Sequence, residues 1–215
     1  MTKKYDFLIL DLDDTLYSPK NGLWEYVRSR ISNYMIHRVG IAPEDVEITR
    51  QHYLETYGTT LRGLSKHHRI NVMDYLDTIH PENMDEYIGP DPALQAMLSA
   101  LPQNKVIFTN AYRPHADRVL QCLGVSDHFN LIVDILDMDL NNKPHPHAYS
   151  TLIERAGIAD PSTCVYVDDR LTNLEPAAAL GMKTVHIAPQ RNTASSSAWI
   201  ESITDLPSAV PGLMA

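Results

Sequence analysis

The chain has 215 residues, 44% of them hydrophobic, enough for one well-cored domain plus a small second unit. Its formal net charge of −9 argues against broad nucleic-acid binding, which leaves a basic footprint. Two cysteines without metal-like spacing, Cys122 and Cys164, read as buried free thiols rather than a disulfide framework, and no apolar run reaches the length of a membrane span.

Met1 to Asp6 leads into the first strand without the apolar stretch or cleavage site of a signal peptide, so a soluble cytoplasmic protein is expected. Phe7–Leu10 is a continuous apolar run, the pattern of a buried parallel strand. It stops at Asp11 and Asp13, with Thr15 following, so two carboxylates stand at the strand's C-terminal end. Ligands of open α/β sheets bind beyond such ends. Two close carboxylates repel unless a cation neutralises them, and a hard ion with oxygen ligands such as Mg²⁺ does so. Read alone, the two could equally form a turn or an N-cap.

From Tyr17 to Gly89 there is no convincing strand. Leu23–Val39 predicts an amphipathic helix with Leu23, Tyr26, Val27, Ile31 and Tyr34 on one side. Pro43 opens a second helix with Glu44 and Asp45 in its first turn. Shorter helices are expected around Thr60–His68 and Val72–Ile79, and Pro90 and Pro92 mark the return to the sheet. Residues 17–89 thus read as a helical cap inserted into a sheet domain made of 1–16 and 90–215, placed where active-site covers belong.

Four further strands are predicted, at Lys105–Thr109, Leu131–Ile135, Cys164–Val167 and Thr184–Ile187. Helical patterns lie between them at Pro114–Leu123, Pro146–Ala156 and Leu174–Leu180, with Gly124, Gly157 and Gly181 as C-terminal caps. The alternation implies an α/β fold, a doubly wound parallel sheet with helices on both faces. Past Gln190 the pattern weakens: Ser195–Ser197 reads as surface loop and Trp199–Ile203 as a short helix on the sheet edge.

The strand ends carry a specific set: Asp11 and Asp13, Thr109 and Asn110, Lys143-Pro144 after the third, and Asp168 and Asp169. A doubly wound sheet brings these positions together. Several carboxylates, a hydroxyl, an amide and a lysine suit phosphoryl transfer to a metal-supported carboxylate. Each member has a plainer reading. Lys143 could be a solvated loop lysine, the Asp168–Asp169 pair and Asn173 helix caps, and Thr109–Asn110 a turn. All would have to hold at once. His145 and His147 read as a loop entering a helix rather than a metal pair. His67 and His68 face either substrate or solvent. Tyr53 and Tyr57 read as cap core rather than base stackers. Tyr17 lines the pocket or packs a hinge. Arg62 is the cap residue suited to bidentate phosphate or carbonyl recognition, with a structural ion pair as its alternative. Arg170 receives no role.

The four pieces, DLDDT at 11–15, FTNA at 108–111, KP at 143–144 and VDD at 167–169 with Asn173 downstream, resemble in kind and order the motifs of the haloacid dehalogenase-like hydrolase superfamily. The helical insert resembles that family's C1 cap, and the strings YGTTLRGL at 57–64 and FTNA resemble its pyrimidine 5′-nucleotidase branch. The resemblance implies a Rossmann-like core and a Mg²⁺-dependent phosphomonoesterase acting through an aspartyl-phosphate. Asp11 would be the nucleophile and Asp13 the acid and base. Lys143 would offset charge, and Thr109, Asn110 and Arg62 would hold substrate. Asp11, Asp13 (through its carbonyl) and Asp169 would hold the metal, with Asp168 and Asn173 supporting them; which of Asp168 and Asp169 binds directly is open, because side chains alternate along a strand. The implied partner is a small phosphorylated molecule, plausibly a pyrimidine nucleoside monophosphate, with no nucleic acid or membrane, for a monomer or homodimer. Alternatives are haloacid dehalogenation, against which Asp13 argues because the family's dehalogenases lack it, a phosphomutase, and a non-catalytic ligand-binding protein.

Overall fold

A computed structural model describes residues 4–193 and 197–214. Its centre is a six-stranded, all-parallel sheet in the order β3-β2-β1-β4-β5-β6. The strands are β1 Phe7–Leu10, β2 Asn104–Phe108, β3 Leu131–Val133, β4 Cys164–Asp168, β5 Lys183–Ile187 and β6 Ala198–Ile200. This is the doubly wound order whose direction of winding reverses between β1 and β4. β1 is central, and Leu8, Ile9 and Leu10 are fully buried, as a strand covered on both faces must be. Leu10 lies opposite Ile107 on one side and Val167 on the other. The ladder runs one residue further, Asp11 N donating to Val167 O at 2.9 Å, so the first carboxylate emerges where the apolar run stops.

Helices α5 Pro92–Ala100, α6 Arg113–Leu123, α7 Pro146–Ala156 and α8 Leu171–Ala179 connect the strands, with a short α9, Leu206–Ala209, near the end. Asp91 caps α5 by accepting from Ala93 and Leu94 N–H groups, and Pro92 stands in its first turn. The sequence marks this segment only as a return to the sheet, at Pro90 and Pro92. Between β1 and α5 the chain is helical: α1 Leu23–Tyr34, α2 Val46–Tyr57, α3 Thr60–His67 and α4 Val72–Ile79. The helix expected over Leu23–Val39 changes character at Met35, where a π-helical turn runs to Val39 and ends at left-handed Gly40. A 3₁₀ turn, Pro43–Asp45, precedes α2. Tyr34 meets Tyr75 edge-on at 5.0 Å, and Arg30 Nε donates to Thr78 O at 2.8 Å, tying α1 to α4.

One expectation is corrected. Trp199–Ile203 does not form a helix on the sheet edge; Ala198–Ile200 is a sixth strand, and a 3₁₀ turn follows at Ile203–Asp205. Ala188 N donates to Ile200 O at 3.1 Å, and Trp199 Nε1 donates to Ala188 O at 2.9 Å, so the segment gains ladder bonds and an anchored indole. A helix over the five residues Trp199–Ile203 would close only one such bond, fewer than the strand pairing and the indole anchor supply. Ser195 and Ser196, expected in a loop, lie outside the described residues. Cys122 is half-buried and Cys164 buried, both free thiols. Among the described residues no helix is long and apolar enough to cross a membrane.

Candidate active site

The chemistry-bearing residues gather where β1, β2 and β4 end. Lys143, in the loop before α7, is 1% exposed and reaches the C-terminal ends of the central strands β1, β2 and β4. Its Nζ donates to Asp11 Oδ1 at 2.8 Å, Asp168 Oδ2 at 2.8 Å, Phe108 O at 2.6 Å and the Tyr166 hydroxyl at 3.1 Å. Burial alone would push this ammonium down, but Asp11 and Asp168 more than reverse that and hold it above the ordinary lysine value. The plainer reading of Lys143 as a solvated loop residue is therefore wrong.

Asp168 is saturated. Besides Lys143 it accepts from Asn173 Nδ2 at 2.9 and 3.1 Å, from Arg170 N at 2.8 Å and from the Tyr166 hydroxyl. Tyr166 and Asp168, two apart on β4, point to the same face, while Asp169 lies just past the strand's end. Among the described residues Asp169 offers its carboxylate to no hydrogen-bond donor. Asp11, Asp168 and Asp169 bring carboxylate oxygens within 4.8 Å of one another. Burial, then the charges of its neighbours, push Asp169 up to about 8 and Asp11 up to about 7, the latter despite Lys143. Burial and Asp13 push Asp14 up to about 7 as well. This is an oxygen-rich pocket with more negative charge than one lysine offsets. That donor set fits a hard divalent cation.

Asp13 stands outside this group of three carboxylates. Its Oδ1 accepts from Tyr17 Oη at 2.5 Å and from His115 Nε2 at 2.8 Å. Burial raises its pKa, but the charge and hydrogen bond of His115, with Tyr17, bring it below the usual carboxylate range. Burial and the Asp13 charge hold the Tyr17 hydroxyl well above its ordinary value, so it remains a donor. Asp14 adopts a left-handed conformation, φ 60°, which makes the turn tight.

A cavity of about 600 Å³ opens over these groups. Asp11, Asp13, Thr109, Lys143, Asp169 and Asn173 line its floor, and Trp24, Arg28, Arg50, Gln51, Leu54 and Tyr75 are among the helical residues on its wall. Two expectations change here. Arg62 does not line the cavity: its guanidinium donates to Asn141 Oδ1 at 3.0 Å, bracing the loop that carries Lys143. The cations on the wall are Arg28, exposed and without an ion pair among the described residues, and Arg50, buried and paired with Glu47 at 2.6 Å. Asn110 lines the cavity, but its side chain is committed elsewhere, accepting from Lys143 N at 2.8 Å and donating to Lys143 O at 3.2 Å. Thr109 is buried, its Oγ1 accepting from Ala111 N at 3.0 Å.

The remaining candidates are structural. His145 caps α7, accepting from His147 N at 3.2 Å, and His147 faces Asp139 at 3.5 Å. His67 stacks on Tyr53, and His68 bonds the Tyr53 hydroxyl at 3.0 Å, inside the helical layer. Sequence reasoning missed His115, His80 and Tyr166. The available signal for His115 was its place in the buried stripe of α6 with Ala116, Val119 and Leu123.

Residues 5–181 match the family model described as haloacid dehalogenase-like hydrolase. The chain is 25% identical over 186 residues to phosphate metabolism protein 8 of Saccharomyces cerevisiae, covering 80% of this chain but only 58% of the yeast protein. A phosphatase structure from Thermococcus onnurineus superposes with a TM-score of 0.68 at 17% identity, over 98% of this chain and all of that one. The L-2-haloacid dehalogenase of Xanthobacter autotrophicus with chloropropionic acid covalently bound superposes at 0.60, also at 17% identity, over 97% and 99% of the two chains. The fold is thus shared with both chemistries.

Proposed function

The chain belongs to the haloacid dehalogenase-like hydrolase family, and from that premise we propose that it is a Mg²⁺-dependent phosphomonoesterase acting on pyrimidine nucleoside 5′-monophosphates. One observation carries the choice: Asp13 faces the same cavity as Asp11, two residues on. Alkyl–halide displacement needs a nucleophile and no proton donor; an alkyl ester oxygen leaves well only when protonated.

In this reading an Asp11 oxygen attacks phosphorus as the ester P–O bond breaks, giving an aspartyl-phosphate. The leaving oxygen takes its proton from Asp13, whose carboxyl is protonated in the complex because the charge of the arriving phosphate opposes the hold of His115 and Tyr17 on its ionised form. Asp13, now a carboxylate, takes a proton from the water that attacks the same phosphorus, which frees Asp11 and releases inorganic phosphate. Lys143 favours the ionised form of Asp11 against its burial, orients it and balances charge on the phosphoryl oxygens, which Thr109 also engages. Asn110 holds the Lys143 backbone, Asp168 holds its ammonium, and Asn173 holds Asp168. Asp11, Asp169 and the Asp13 carbonyl would hold Mg²⁺, which supplies electrostatic relief to the phosphoryl group. Asp168 is left as a support because Lys143, Tyr166 and Asn173 already occupy it.

The helical residues 17–89 are assigned as the cap. What supports a nucleotide is the cavity wall, which includes Trp24, an aromatic suited to stacking, and Arg28, a donor suited to carbonyl acceptors. Arg28 takes the role first given to Arg62. The two free thiols suit a reducing cytoplasm.

The test is phosphate release from a phosphomonoester panel that includes UMP and CMP, before and after EDTA and with Mg²⁺ restored. Metal-dependent preference for UMP and CMP is expected. Metal-dependent release with another preference would discard the nucleotide. Unchanged release after thorough metal removal would discard Mg²⁺.

A further inference from the structure

We propose that His115, together with Tyr17, is the positioning element of the acid–base residue Asp13, an inference that rests on the phosphomonoesterase reading. Both donors converge on one oxygen. Tyr17 Oη lies 2.5 Å and His115 Nε2 2.8 Å from Asp13 Oδ1, while Oδ2 has no partner among the described residues; Asp13 lines the cavity and its side chain is 13% exposed. One oxygen is pinned, so the other is aimed.

His115 is a poor choice for mere packing. It is 2% exposed on the apolar stripe of α6, and its Nδ1 is buried with no partner among the described residues. A side chain there only to fill space would be aliphatic, because an orphaned polar atom costs stability and returns nothing. The bond to Asp13 is what the imidazole supplies. Its ring is fixed in turn by His80, whose centroid lies 4.4 Å away and which stacks on Tyr112 at 4.8 Å. His80 Nδ1 donates to Leu76 O at 2.8 Å at the end of α4. Three elements thus hold the imidazole against Asp13: its own helix, the Tyr112 ring and the end of α4.

The pair acts on two proton transfers. In the first, the P–O ester bond breaks to Asp11 and the Asp13 proton goes to the leaving oxygen. In the second, water's proton goes to Asp13 as its oxygen bonds phosphorus and the Asp11–phosphorus bond breaks. Loss of aim therefore penalises substrates in proportion to their need for an acid. Aryl phosphates, whose phenolate leaves unaided, need it little; alkyl phosphates need it fully.

The experiment compares kcat/KM for p-nitrophenyl phosphate and an alkyl phosphomonoester in the wild type, His115→Leu, His115→Gln and Tyr17→Phe. Because kcat/KM ends at the first irreversible departure, it isolates the acid step. The alkyl-to-aryl ratio is expected to fall by about 10²-fold in His115→Leu, by less in Tyr17→Phe, and to recover in His115→Gln, which retains an N–H at the same reach. A burst of p-nitrophenol should accompany His115→Leu, because the base step slows and the phosphoenzyme accumulates. An unchanged ratio without a burst would overturn the inference while leaving the phosphatase intact. If His115→Leu does not fold, an unaltered ratio in Tyr17→Phe overturns it equally. Wild-type silence towards both esters would overturn the phosphatase reading and this inference with it.

Discussion

Lys143 is an ammonium with no solvent, held by two carboxylates, a carbonyl and a phenol. Replacing it with methionine leaves Asp11 and Asp168 buried beside each other without a counter-charge. Breaking such a pair costs on the order of 3–5 kcal/mol, so Lys143→Met should show a large drop in denaturation midpoint as well as no turnover. Asp11→Asn is the contrasting change: it removes the nucleophile at constant volume, and turnover should vanish while the midpoint holds. Near-normal phosphate release by that variant would sink the covalent mechanism. Asp11, Lys143 and Asp168 were legible in the sequence because each stands where an apolar run ends or a loop returns, and because their order resembles a family pattern. His115 and Tyr166 were not, since a histidine on a helix stripe and a tyrosine in a strand look like ordinary core until their neighbours are known. Arg62 was misread for a related reason: a guanidinium suited to phosphate is equally suited to an amide oxygen, and only distance decides between them.

At the scale of elements, the stretch Tyr57–Leu64 is a fastener between helical insertion and sheet. Gly58 ends α2 at φ 82°, and a Cβ there would stand 2.5 Å from Asn142 Nδ2. Thr59 caps α3 by accepting from Arg62 N and donates to Asn142 Oδ1 at 3.2 Å, next to the Arg62–Asn141 bond. Gly63 admits the Tyr53 ring, which a Cβ would meet at 2.2 Å. Gly58→Ala should therefore strain the backbone and push against the Lys143 loop at once. A loss of about 1–3 kcal/mol in stability is expected, with kcat falling because Lys143 shifts. Arg62→Leu removes the brace without backbone strain and should lower kcat more than it raises KM. A rise in KM alone would instead return Arg62 to the substrate. The helices α2, α3 and α4 could be read from periodicity and capping residues, whereas this fastening could not, because its partners Asn141 and Asn142 lie some 80 positions away. β6 was hidden because three residues carry no period from which to tell strand from helix.

For the whole molecule, the acidic cluster sets how stability follows pH. Asp11 and Asp14 are pushed up to about 7 and Asp169 up to about 8, chiefly by burial, from an ordinary 3.8. An acid whose pKa rises on folding binds its proton more tightly in the folded state, so stability falls as pH climbs through the raised value. His80, held neutral by burial down to about 3, works in the opposite direction, but only below the ordinary histidine value. Without metal, the melting temperature should therefore decline from about pH 6.5 to 8. Added Mg²⁺ should restore it most at the upper end, where protons no longer compete for the carboxylates. Calorimetry across that range with and without Mg²⁺ checks both slopes; a metal-free melting temperature that rises towards pH 8 would contradict the charge crowding. The sheet order has another consequence, for synthesis. β1 is made first yet sits in the middle, and its two partners begin only at Asn104 and Cys164. While the ribosome builds the helical insertion, a fully apolar strand waits with both edges unpaired, and it stays half-paired until β4 has emerged. Nascent chains stopped before Cys164 are the ones that should engage chaperones or aggregate, and chains released beyond β4 should not.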